Sequence, residues 1–108
     1  MGHDISGFNK EGEEIAYARF SMGNYNATIL YHLLDANNFY AGVSGSGDSS
    51  AFTKQQIEKA INAYKKFFNS DSLSESVSLD WDQKQILTFI LNCLATAQKE
   101  GSVRVCFA

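Results

Sequence analysis

Apolar positions are densest in the stretch Trp81 to Ala97, WDQKQILTFILNCLATA. Ile86, Phe89, Ile90, Cys93, Leu94 and Ala97 recur at the three-and-four spacing of one helical face, with Leu87 and Leu91 on its flank. A stripe this wide exceeds the roughly 100° that a surface helix needs. It predicts a core helix covered on more than one side. The run is polar at both ends and shorter than the roughly 20 apolar residues of a membrane span. Asp80 with Gln83 forms a capping box before it, and Gly101 stops it.

A second helix is predicted by Ile57, Ala60, Ile61, Tyr64, Phe67 and Phe68, with Glu58, Lys59, Asn62, Lys65 and Lys66 on the outer side. Its start is marked twice. Thr53 caps it and Gln56 reaches back, while Phe52 and Ile57 staple the entry. Further upstream Tyr25, Ile29, His32, Leu33 and Ala36 define a shorter helix, with Leu30 and Leu34 beside the stripe. Asn24 and Asn26 are its candidate caps, and Asn37-Asn38 ends it.

The period changes to two at both ends of the chain. In Met1 to Phe8, His3, Ile5 and Gly7 oppose Asp4, Ser6 and Phe8. In Glu13 to Phe20, Ile15, Tyr17 and Arg19 oppose Ala16, Ala18 and Phe20. The turn Asn9-Lys10-Glu11-Gly12 makes these a hairpin. At the other end Val103, Val105 and Phe107 alternate with Arg104 and Cys106 as a strand that needs a partner. The expected fold is therefore α+β. A small three-stranded sheet, antiparallel or mixed, combines the N-terminal hairpin with the C-terminal strand and packs against three helices. No repeat or composition break divides the 108 residues, so 1–108 is expected to be a single domain.

With 44% apolar and 19% charged residues the chain has the balance of a globular domain. A net charge of −3 and scattered Lys and Arg argue against nucleic acid. Two cysteines make no disulfide framework, and no signal segment is seen, so a cytoplasmic setting is expected. Without proline, the turns rely on Gly, Asn, Asp and Ser.

The stretch Phe39 to Ser50, FYAGVSGSGDSS, is rich in glycine and serine and reads as a loop, with Leu73 and Val77 dipping inward from a second polar connection at 69–78. Gly42, Gly45 and Gly47 would let backbone amides converge on an anion. Ser44, Ser46, Ser49 and Ser50 would add hydroxyls, and Thr53 and Lys54 would close the site at the following helix start. Asp48 opposes this reading, and the Gly-Lys-Ser/Thr ending of a P-loop is missing. Tyr31, Phe39 and Tyr40 beside the loop would form an aromatic partner surface if exposed. His3 and His32 with nearby carboxylates lack the dense spacing of a metal site, so no metal or cofactor is expected. His32 on its apolar face reads as a partly buried, hydrogen-bonded residue. Cys106 with His3 is the one thiol–imidazole pair that neighbouring terminal strands could assemble.

The functional expectation is a non-catalytic protein-interaction or assembly module, homodimeric or bound to another protein, working through open sheet edges and loops. The alternative is a small-ligand or anion-binding protein, possibly an enzyme, that uses loop 42–50 and the helix start after it.

Overall fold

The computed structural model describes residues 2–21, 25–42, 44–69 and 81–108. Strand β1 (Gly2–Phe8) and strand β2 (Glu14–Ser21) are followed by helix α1 (Tyr25–Leu33) and a 3₁₀ turn at Asn37–Phe39. Strand β3 (Ser49–Thr53) leads directly into helix α2 (Lys54–Asn69), and helix α3 (Trp81–Glu100) into strand β4 (Ser102–Phe107). The fold is α+β, with one antiparallel sheet in the order β2-β1-β4-β3.

The sheet has four strands where the sequence predicts three. Residues 49–53, read as the end of a loop and a helix entry, form the fourth. Only Phe52 gives this strand a fully buried apolar side chain, so its alternation is too faint to read. Pairing with β4, from Ser49↔Cys106 to Thr53↔Ser102, overrides the weak strand propensity of serine.

The three helices pack on one face of the sheet. That face carries the alternate residues His3, Ile5, Gly7, Ala16, Ala18, Phe20, Phe52, Val103, Val105 and Phe107, all buried. Asp4, Tyr17, Arg19, Ala51 and Arg104 point the other way and stay at least partly open. The hairpin turn is built by Asn9, whose Oδ1 accepts the amides of Glu11 (3.0 Å) and Glu13 (2.9 Å).

Both predicted signals at the start of α2 are present. Gln56 Oε1 accepts the Thr53 amide at 2.8 Å, and Thr53 Oγ1 accepts the Gln56 amide at 3.2 Å. Phe52 and Ile57 are buried on either side of this box. Helix α3 buries Ile86, Phe89, Ile90, Cys93 and Ala97 completely, against the sheet and against α2. It is not wrapped all round, however. Leu91 is 46% exposed, so that part of the flank faces solvent, while Leu87 packs partly buried against the core. His32 is also exposed rather than partly buried; Leu30, Tyr31 and Leu34 take the inward positions of α1 and its end. Asn26 lies inside α1 and so cannot cap it. Asn24, Asp80, Leu73 and Val77 lie outside the described residues.

Candidate functional site

The Gly/Ser segment is a strap fastened across the C-terminal strand. Gly45 N–H donates to Ala108 O (2.9 Å), Ser46 N–H to Phe39 O (2.9 Å) and Gly47 N–H to Phe107 O (2.7 Å). Phe107 N–H returns a bond to Asp48 O at 2.9 Å. Gly47 and Asp48 therefore oppose one residue, Phe107, as a β-bulge whose first position takes φ +91° at Gly47. Gly45 is required for space. A Cβ there would stand 2.5 Å from the Phe107 carbonyl and 2.8 Å from the Tyr31 hydroxyl oxygen.

The amides of Gly45, Ser46 and Gly47 are thus committed to the protein's own carbonyls. Ser44 Oγ donates to Gly45 O (3.0 Å), and Ser46 Oγ to Asp48 Oδ2 (3.2 Å). Gly42 accepts through its carbonyl, and Lys54 forms a loose pair with Glu58 at 4.0 Å. Ser49, Ser50 and Thr53 belong to β3. The segment holds itself down with the groups that would otherwise face an anion.

Beneath the strap His3 and Tyr31 form a polar pair that the sequence does not bring together, His3 reading as a candidate ligand or partner of Cys106 and Tyr31 as part of an aromatic surface. His3, 1% exposed, has Nε2 3.2 Å from Gly42 O and Nδ1 3.1 Å from the Tyr31 hydroxyl. A carbonyl only accepts, so in the neutral ring Nε2 carries the proton and Nδ1 accepts from Tyr31. Tyr40 stacks on the imidazole at 5.2 Å, and Phe39 stacks on Phe107 at 4.7 Å. Burial pushes the Tyr31 hydroxyl up to about 12, with the Tyr40 hydroxyl adding to the shift.

Of the three aromatics predicted to meet a partner, Tyr31 is fully buried and Phe39 half-buried; only Tyr40, 40% exposed, is accessible. Tyr31 and Phe39 face inward because their rings pack against Phe107. Cys106 does not meet His3. It pairs with Ser6 and Ser49 and points to the helix-free face, one residue out of phase with the side that buries His3. The other cysteine, Cys93, is sealed in the core, where burial raises its thiol to about 12.

The helix-free face carries the exposed chemistry. Tyr17, 48% exposed, donates its hydroxyl to Asp4 Oδ1, which raises the Tyr17 pKa, and Arg19 lies 3.7 Å from the same carboxylate. The Arg104 guanidinium sits 5.4 Å above the centre of the Phe8 ring. Ser6, Ser49, Ala51 and Cys106 form a low floor between these larger groups. At the β2 edge, Gln85 of α3 closes one rung. Its Oε1 accepts the Arg19 amide (2.7 Å) and its Nε2 donates to Arg19 O (3.0 Å). The far edge, β3, turns the peptide groups of Ser49 and Ala51 outward, since the ladder sends those of Ser50 and Phe52 to β4.

Among the described residues no group of three or more His, Cys, Asp or Glu side chains is placed to hold a metal ion. No helix among them is long and apolar enough to cross a membrane. Comparison with known protein families, with curated proteins and with solved structures gives no match.

Proposed function

We propose that the protein is a non-catalytic interaction module that docks a protein partner on the helix-free face of its sheet. One observation supports this most. Three helices cover a single face and leave the other bearing Tyr17, Phe8, Arg19 and Arg104 over small residues. Exposed aromatics and arginines on a rigid scaffold are the residue types that dominate binding energy at protein surfaces. The rigidity comes from strand pairing on both sides of β1 and β4. The alternative, ligand binding by the Gly/Ser strap, is weaker, because its central amides are spent on backbone carbonyls.

The test compares sedimentation across concentration, and affinity capture from the cells that make the protein, for three forms. Wild type is expected to self-associate or retain a partner. Tyr17→Ala with Arg19→Glu should weaken that complex about tenfold or more, while Lys65→Glu on the helical side leaves it intact. A strictly monomeric chain that retains nothing would sink the reading. So would a complex sensitive only to Lys65→Glu.

A further inference from the structure

We propose that the recess at the β1–β4 end of the helix-free face binds a compact oxyanion, a carboxylate or a phosphate group. The recess encloses about 240 Å³ and is lined by Phe8, Asn9, Lys10, Ala51, Ser102 and Arg104. Its donors lack acceptors. Among the described residues Arg104 and Lys10 have no carboxylate within 4.0 Å, and the Ser102 hydroxyl makes no hydrogen bond with any of them. Two carboxylates stand beside the recess without lining it: Glu100 Oε1 accepts the Lys10 backbone amide at 2.8 Å, and Glu13 Oε1 accepts from the Asn9 side-chain amide at 3.0 Å. The Asn9 side chain is committed to the hairpin turn through Glu11 and Glu13.

Arg104 is also pre-positioned. Its guanidinium carbon lies over the Phe8 ring, 5.4 Å from the ring centre, a cation–π contact that biases the fork toward the recess. A planar fork held in place loses less freedom on binding than a mobile one, and it matches two oxygens of a carboxylate or phosphate at once. Lys10 adds a second charge from the turn, and Ala51 leaves open the space that a longer side chain would fill. This site is separate from the strap; it shares Phe8 and Arg104 with the proposed docking face, and an anion needs no partner to bind there.

The test is a titration of amide NMR signals with inorganic phosphate and, in a second arm, with succinate, each against sodium chloride of equal ionic strength. Saturable shifts confined to residues 8–12, 51 and 102–104 are expected in at least one arm, and the tighter arm identifies the group preferred. Arg104→Gln should weaken binding about tenfold or more, and Lys10→Gln several-fold. If Arg104→Gln does not fold, Arg104→Lys keeps the charge but loses the fork, and should still bind several-fold more weakly. Shifts no different from those with chloride, or saturation that survives both Arg104 substitutions, would overturn the proposal.

Discussion

Gly45 in the strap and His3 beneath it show how much of the fold rests on single residues. Any side chain at Gly45 meets the Phe107 backbone, which cannot swing away as a flexible side chain could. Gly45→Ala should therefore destabilise the protein by about 1–3 kcal/mol through overpacking. Urea unfolding would show this as a lower midpoint with an unchanged slope. Tyr31 and Cys93 set the alkaline limit. Their ordinary values of 10.0 and 9.0 are each raised to about 12 by burial. The folded protein therefore holds protons at these two groups that the unfolded chain releases, and the raised Tyr17 and Tyr64 hydroxyls add to the effect with the same sign. Stability is whole below about pH 9 and declines as pH rises from there to about 12, because the unfolded state binds fewer protons across that window. Tyr31→Phe should start lower by about 1 kcal/mol, having lost the bond to His3, and should then fall less steeply above pH 10. A parallel slope in wild type and variant would show that Tyr31 does not govern the decline. The thiols give a simpler check. Cys106 should react with a thiol reagent in the native state, and Cys93 only after unfolding.

Edges and caps decide matters at the scale of the element. The two hydrogen bonds from Gln85 to the Arg19 peptide stand in for a fifth strand at one rung. Gln85→Ala should cost about 1 kcal/mol and speed hydrogen exchange at the Arg19 amide while core amides of β1 and β4 keep their protection. Unaltered exchange at Arg19 would mean that the side-chain amide does not guard this edge. The elements legible in the sequence were those with a local signature: alternation in the hairpin and β4, the Thr53–Gln56 box of α2, the apolar stripe of α3. Strand β3 had none. Ser50 points inward beside Phe52, and pairing comes from β4, which is distant in the sequence. The strap was legible as a unit, but its role was not. Three glycines read equally well as amides free for an anion or as a chain pressed against another backbone, and only the position of Phe107 decides between them. Similarly, spacing points to His32 as the buried histidine, whereas the structure buries His3, because Tyr31 and Gly42 lie over β1.

The order β2-β1-β4-β3 makes the whole molecule depend on its last strand. β4 lies between the N-terminal hairpin and β3, and buries Val103, Val105 and Phe107. The Phe107 ring meets Tyr31, Phe39 and Phe52, drawing α1, the 3₁₀ turn and β3 into one aromatic cluster. Its backbone anchors the strap on both sides of the bulge. Without β4, strand β3 has no strand neighbour among the described residues, and the apolar side of α3 loses part of the sheet it covers. Deletion of residues 103–108 should therefore abolish cooperative unfolding rather than lower the melting temperature by a few degrees. The remaining chain is expected to keep helical far-ultraviolet dichroism, lose near-ultraviolet signal and bind a hydrophobic dye, as packing fails before secondary structure does. Val105→Asp places a charge in the same core and should produce the same state in the full-length chain. A sharp, single-step melt in the deletion variant would show that the hairpin and helices form a core of their own, with β4 and the strap as later additions. Pairing that joins the first and last strands also closes a long loop before it gains any contact energy, so folding should be slow for a protein of this size. Substitutions in β4 should then slow folding more than they speed unfolding, a partition that stopped-flow kinetics on Val103→Ala can measure.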